Sequence, residues 1–149
     1  MRRSLLPVYL IDTNLISEAR KGERADAGVR SFFAAAESDG RLLYLSAVTI
    51  GELRRGVELI RHRRDFQQAQ RLEAWLTTIV TDYGDRILPL DADVAQLWGR
   101  LRVPHAEHIL DKQIAATALV YDLTLVSRNT ADFRQTPVRL LNPFTGAPD

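Results

Sequence analysis

Short apolar runs alternate with longer helical stretches along the whole chain, and this alternation leaves few folds open. The runs have the length of single strands, and no Asn-Gly hairpin signal occurs between them. Parallel strands need long crossover connections, whereas antiparallel neighbours can be joined by a tight turn. The pattern therefore predicts one α/β domain of three layers around a largely parallel sheet. The predicted strands are residues 8–11, 42–46, 87–90, 123–127 and 138–141.

The predicted helices follow the spacing of apolar side chains at three and four residues. Residues 49–52 have the S/T-x-x-E pattern of a capping box, which predicts that a helix starts at Thr49 with Glu52 completing the cap. The predicted helices cover residues 15–20, 27–38, 49–61, 65–82, 91–102 and 108–121.

The length and composition narrow the class of protein further. The chain has 149 residues, so we expect a single domain over residues 1–149, with a loose tail from about residue 144. No cysteine occurs, which excludes disulfides, thiolate zinc sites and cysteine nucleophiles. The apolar stretch near the start contains Pro7 and ends at Asp12, and no run approaches the ~18 apolar residues of a membrane helix. We therefore expect a cytoplasmic protein without a membrane segment.

Acidic residues recur where predicted strands end or the following helices begin. Asp12 ends the first strand, Glu52 lies in the helix after the second, and Asp111 lies near the start of an apolar helix. Asn129 and Asp132 follow the fourth strand. Since parallel strands end at one edge of a sheet, we expect these groups to gather there. Each acid also has a purely structural explanation, because each stands where it could cap or stabilise the start of a helix.

The surroundings of the acids favour a metal site. Asp12 and Asp111 are embedded in apolar sequence, where an unpaired carboxylate is costly to bury. Several carboxylates in one cleft repel one another unless a cation binds them, and oxygen ligands suit Mg²⁺ or Mn²⁺. Such a cleft fits phosphodiester hydrolysis, in which metal ions lower the pKa of the attacking water and stabilise charge on phosphate oxygens. No Gly-rich phosphate loop or Ser-His-Asp set offers another mechanism.

The positive charge is local. The net charge is +1, but residues 54–71 hold six arginines against two acidic residues, a local excess of +4. A solvated helical face explains this excess as well as a binding surface does. Arg128 is a separate candidate, because it directly follows the fourth predicted strand beside the expected cleft. We expect Arg128 to contact phosphate of the substrate.

Four segments resemble the PIN-domain family, and within it the VapC- and FitB-type toxins of bacterial toxin–antitoxin pairs. In the family's order they are YLIDTNLISEARKG at residues 9–22, LSAVTIGELRRGV at 45–57, ILDKQIAATALVYDLTLVSRNTADF at 109–133 and VRLLNPF at 138–144. The resemblance implies a PIN fold, with helices on both sides of a mostly parallel five-stranded sheet. It also implies an endoribonuclease that depends on Mg²⁺ or Mn²⁺.

For the site, the resemblance implies that Asp12, Glu52 and Asp111 are catalytic metal ligands. In many relatives the fourth acid stands where this chain has Asn129, so Asp132 is the remaining acidic candidate and a second metal position is left open. Four further polar residues would support the acids with hydroxyl or amide groups: Thr13, Asn14, Thr117 and Asn129.

The resemblance also implies partners. These are RNA, a second copy of the toxin in a homodimer, and a VapB-like antitoxin that blocks the cleft with a C-terminal segment, usually through an arginine. We expect the antitoxin to contact the helices around residues 54–75.

Two other interpretations stay open at this point. A catalytically idle PIN domain would bind RNA or a protein without cleaving anything. His105, His108 and Asp111 have the helical spacing of a zinc or iron site, but Pro104 and the polar run around it favour a loop there. In a loop, His108 could still lie at the rim of the cleft.

Overall fold

The computed structural model describes residues 7–145; the first six residues and residues 146–149, the end of the expected tail, lie outside it. In the described range, five parallel strands form one sheet in the order β3-β2-β1-β4-β5. This arrangement confirms the predicted sheet. The third strand is shorter than predicted, because Pro89 has no N–H group to donate. The strands are β1 (Tyr9–Ile11), β2 (Leu43–Ser46), β3 (Ile87–Leu88), β4 (Thr124–Val126) and β5 (Leu140–Leu141).

Six helices connect these strands within residues 7–145, in the predicted order. None of them is long and apolar enough to cross a membrane. They are α1 (Thr13–Ala19), α2 (Ala27–Ser38), α3 (Ala47–His62), α4 (Phe66–Tyr83), α5 (Ala92–Leu101) and α6 (Ile109–Val120).

Alternating side chains in the central strands build a core on each side of the sheet. Leu10 of β1 and Leu125 of β4 belong to a core shared with α6, whereas the next residues, Ile11 and Val126, belong to a core shared with α1–α4. Helix α5 packs on α6. The successive residues of a strand point to opposite faces, so both faces are covered, as the predicted three layers require.

The predicted capping box is wrong. Helix α3 begins at Ala47, because Ser46 at the end of β2 already caps it by accepting a 3.0 Å hydrogen bond from the backbone N–H of Val48. The strand thus runs directly into the helix, and the first available hydroxyl group takes the capping position. Thr49, in the first turn of the helix, is completely buried. The side chains of Thr49 and Glu52 are therefore available to neighbouring elements.

The arginine-rich stretch forms a surface network between α3 and α4. Arg54 and Arg61 each contact both Glu58 and Glu73, at nitrogen–oxygen distances of 2.5–3.1 Å. All four side chains are exposed, so each pair contributes little to stability. The network favours the solvated-face explanation for these two arginines.

Part of the expected loose tail is attached to the domain. Thr145 donates hydrogen bonds to the Asp26 carboxylate from its backbone N–H and, at 2.7 Å, from its hydroxyl group. Phe144 packs against the core between the sheet and α1–α4. A methyl group on Gly28 would lie only 1.9 Å from the carbonyl oxygen of Pro143, so the chain passes directly over α2. Residues 144 and 145 are therefore held against α2 and the core.

Candidate active site

Asp12 lies at the centre of the carboxyl edge of the sheet. It follows β1 and is only 2% exposed. Its Oδ1 accepts a 2.8 Å hydrogen bond from the backbone N–H of Thr13, which caps α1, and its Oδ2 accepts a 2.6 Å bond from Ser127. Ser127 follows β4. The chain adds β2 and β3 on one side of β1, and β4 and β5 on the other, so the strand order reverses between β1 and β4. This is the position at which open α/β sheets bind ligands.

Burial and neighbouring charge both act on Asp12. Burial raises the pKa of its carboxyl group, and the hydrogen bonds from Ser127 and Thr13 oppose that rise. The carboxylates of Glu52 and Asp132 raise the pKa further. Asp12 therefore has a structural role as a helix cap, and it also belongs to a cluster of like charges.

Glu52 is joined to the site by Thr13. The Thr13 hydroxyl donates to Oε1 of Glu52 at 2.7 Å and lies 3.0 Å from the hydroxyl of Thr49. These contacts connect the start of α1 to the first turns of α3. They hold the Glu52 carboxylate next to Thr13, the residue that follows Asp12.

Asp111 and Asp132 approach the same place from the other face of the sheet. One ligand atom from each of His108, Asp111 and Asp132 can be chosen so that all three lie within 4.8 Å of one another. Burial, followed by the charges of Asp12, Asp132 and Glu52, raises the pKa of Asp111 from 3.8 to about 6, and His108 opposes this rise. The four predicted acids thus form one electrostatic cluster.

Ser127 connects several of the remaining site residues, and the sequence did not identify it. The Asn14 amide donates to Ser127 Oγ at 3.3 Å and to Asp12 Oδ2 at 3.4 Å. The backbone N–H of Asn129 also donates to Ser127 Oγ, at 3.0 Å. The backbone N–H of exposed Arg128 donates to the side-chain oxygen Oδ1 of Asn14 at 3.2 Å. The only hint of Ser127 in the sequence is its position, as a serine directly after the apolar run of β4.

The structure also gives the surroundings of Thr117 and of the two histidines near Asp111. Thr117 is completely buried in α6, and its hydroxyl donates to the backbone carbonyl of Gln113 in the same helix at 2.9 Å. The structure therefore ties its hydroxyl to its own helix instead of to an acid. His105 and His108 both precede α6, which begins at Ile109, so they lie in the loop that Pro104 and the polar run favour. Only His108 joins the acidic cluster.

The donor set fits a hard divalent cation. Carboxylates from four chain segments influence one another's charge, and burial together with these like charges raises the pKa values of Asp12 and Asp111. A bound cation would relieve this repulsion, and carboxylate oxygens with water are the ligands that Mg²⁺ and Mn²⁺ prefer.

The chain is similar to known proteins in sequence. The PIN domain family matches residues 9–138. Toxin FitB of Neisseria gonorrhoeae is 34% identical over 143 residues, which cover 92% of this chain and 99% of that protein. VapC ribonuclease Y4jK of Sinorhizobium fredii is 31% identical over 148 residues, covering 94% of this chain and all of the relative.

Solved structures agree with the sequence relatives. The crystal structure of FitAcB from Neisseria gonorrhoeae superposes with a TM-score of 0.77 at 32% identity, covering 91% of this chain and 98% of the other. A toxin–antitoxin complex from Klebsiella pneumoniae gives a TM-score of 0.62 at 25% identity, covering 91% and 98%. With its five-stranded parallel sheet and the match over residues 9–138, this chain belongs to the PIN domain family.

Proposed function

We propose that this chain is the toxin of a toxin–antitoxin pair and that it cleaves RNA as a divalent-metal-dependent endonuclease. The observation that carries the proposal is the convergence of Asp12, Glu52, Asp111 and Asp132 at the carboxyl edge of the sheet. Relatives named as a toxin and as a ribonuclease, each aligned over more than nine-tenths of this chain, support it.

The four carboxylates would hold Mg²⁺ or Mn²⁺. When bound, the ion supplies an acidified water and a positive charge beside the phosphate oxygens. The protein's part is to keep the carboxylates ionised and fixed. Ser127 and the Thr13 N–H hold Asp12, and the Thr13 hydroxyl holds Glu52.

We assign RNA contact to Arg128. Its backbone is fixed by Asn14 next to the cluster, while its guanidinium lies over the Phe144 ring at 5.1 Å. The side chain is exposed, and arginine binds phosphate through several donors in one plane. An arginine at this place would hold the negatively charged backbone of RNA beside the acids.

We propose that the antitoxin occupies a groove between α1, α3 and α4. Thr13 and Glu52 of the acidic cluster line this groove, and so do Arg20, Arg63 and Trp75. Apolar side chains of α3 and α4 line it as well. An extended peptide in this groove could place a basic side chain against the acids and close the cleft to RNA.

The proposed action takes place in the cytoplasm, where RNA and antitoxin are both made. The family resemblance also predicts a homodimer of the toxin. Size-exclusion chromatography with light scattering on the free toxin measures this directly, since a monomer and a dimer differ twofold in mass.

Incubation of the purified chain with total bacterial RNA tests the proposal. The reactions contain Mg²⁺, Mn²⁺ or excess EDTA, and the new 5′ ends are sequenced. We expect defined internal cuts with either metal and none in EDTA. RNA that is bound but left intact under every condition would instead favour a catalytically idle PIN domain. Full cleavage in EDTA would exclude the metal mechanism.

A further inference from the structure

His108 is the last residue of the loop before α6. Its backbone is left-handed, with φ 58° and ψ 51°, and α6 begins there without a side-chain cap. The other five helices among residues 7–145 are each capped by an aspartate or serine side chain. A left-handed conformation is unfavourable for a residue with a Cβ atom, and it persists where surrounding contacts fix it.

The contacts that fix this segment come from α5 and α6. Lys112 is completely buried, and its ammonium group donates to the carbonyl oxygen of His105. The backbone N–H of Lys112 donates to the carbonyl oxygen of His108 at 2.9 Å. On the other side, the Trp98 indole donates to the carbonyl oxygen of Ile109 at 3.2 Å. The position of His108 is thus fixed from both flanks by buried or packed donors.

The imidazole of His108 faces the acidic cluster. Its Nδ1 lies 3.9 Å from Oδ2 of Asp111, and its side chain is 43% exposed at the rim of the cleft. This distance is too long for a hydrogen bond. Two atoms at this distance can bind the same metal ion. For Zn²⁺, for example, each bond to a nitrogen or oxygen ligand is about 2.0–2.2 Å long. A ligand atom of Asp132 lies within 4.8 Å of both groups.

We propose that His108, Asp111 and Asp132 form a cation subsite with one nitrogen ligand, which favours transition-metal ions such as Mn²⁺ over Mg²⁺. Mg²⁺ takes oxygen ligands almost exclusively. A site that adds one imidazole to two carboxylates also accepts divalent ions of the first transition row, a series in which Mn²⁺ binds least tightly. The inference rests on the proposed function, because it assigns one more ligand to the same metal site.

Electron spin echo envelope modulation of tag-free protein loaded with Mn²⁺ tests this assignment, because a coordinated imidazole nitrogen modulates the echo. We expect the modulation in the wild type and in His105→Ala, the matched loop histidine, and we expect its loss in His108→Ala. Isothermal titration should give a Mn²⁺ Kd at least about tenfold weaker in His108→Ala, with the Mg²⁺ Kd changed by less than about threefold. His108→Asn is a second variant, since asparagine tolerates the left-handed backbone.

The outcomes separate this inference from the proposed function. If the wild type binds Mn²⁺ in an Asp12-dependent way without nitrogen modulation, the role of His108 is overturned and the proposed function stands. Nitrogen modulation that survives in both His108→Ala and His108→Asn also overturns the role of His108. A wild type that binds neither ion at millimolar concentration overturns both proposals.

Discussion

Ser127 donates a 2.6 Å hydrogen bond to Oδ2 of Asp12, which joins the ends of β4 and β1 where the strand order reverses. Both side chains are buried. Burial alone would favour the neutral acid, and the Ser127 hydrogen bond is the largest effect that opposes it. Ser127 therefore helps to keep Asp12 in the anionic form that a metal ion requires.

Replacing Ser127 with alanine should weaken the binding of Mn²⁺ by about 10- to 100-fold, as the loss of a residue that orients a metal ligand does. The smaller side chain removes the hydrogen bond and leaves the pKa of Asp12 higher. Isothermal titration at pH 7 measures the effect, with Ser38→Ala at the exposed end of α2 as the control. An unchanged Kd in a folded Ser127→Ala protein would remove Ser127 from the site.

The raised pKa of Asp111 predicts that the stability of the metal-free protein depends on pH. Its pKa in the folded chain is about 6 instead of 3.8, so the folded state takes up a proton before the unfolded state does. Stability should therefore rise as the pH falls from about 7 towards 5, and the penalty should be present in full above the folded pKa.

Asp111→Asn removes this penalty. In EDTA at pH 7.5 it should raise the Tm, by about 2–4 °C for each kcal/mol that burial of the charge and its repulsion by the other acids cost in a chain of this size. At pH 5 the gain should be smaller, because the wild-type carboxyl group is already largely protonated. Differential scanning fluorimetry at the two pH values measures the difference. A gain of equal size at both would show that charge repulsion is not its cause.

Much of the fold follows from local patterns. The strands and helices were predictable because buried strands are continuous apolar runs and helices repeat at three and four residues. The gathering of the acids followed from parallel strands, which place Asp12 and the segment after β4 at one edge. These relations depend on periodicity and topology, both of which a single sequence carries.

Other parts of the site depend on contacts between distant segments. The role of Ser127 arises because β1 and β4 are neighbours, although their sequences are over 110 residues apart. The position of His108 depends on the buried Lys112 and on a left-handed backbone that no sequence period indicates. Similarly, the start of α3 was misplaced because Ser46 and Thr49 are both good caps, and the end of β2 decides between them.

Asp132 and Asn129 provide a test of the fourth carboxylate. Asp132 lies in a short 3-10 turn (Thr130–Phe133), with its backbone N–H bonded to the carbonyl oxygen of Asn129 at 3.1 Å. Asp132→Asn should lower turnover by ~100-fold or more if its carboxylate stabilises charge in the transition state. Asn129→Asp should be tolerated or should strengthen metal binding. Loss of stability in Asp132→Asn with normal turnover per folded molecule would leave a three-acid site.

Arg128 should contribute one phosphate contact to RNA binding. Arg128→Ala should weaken binding and reduce the slope of log affinity against log salt by about one. Titrations of a fluorescent RNA at several salt concentrations with Ca²⁺ in place of Mg²⁺ measure this slope. Arg100→Ala, in the exposed last turn of α5, is the matched control. If the slope is the same for Arg128→Ala and the wild type, Arg128 carries only surface charge.

The most direct test of a metal-dependent nuclease centred on Asp12 is the single-turnover rate of RNA cleavage by Asp12→Asn. The amide keeps the shape and the capping of α1 but removes one negative ligand at the buried centre of the cluster. We expect cleavage with Mg²⁺ or Mn²⁺ to fall by at least ~100-fold, with a metal-free Tm equal to or above that of the wild type. Asp85→Asn, an exposed aspartate in the turn before β3, should cleave normally. A folded Asp12→Asn protein that cleaves RNA at the wild-type rate would contradict the assignment.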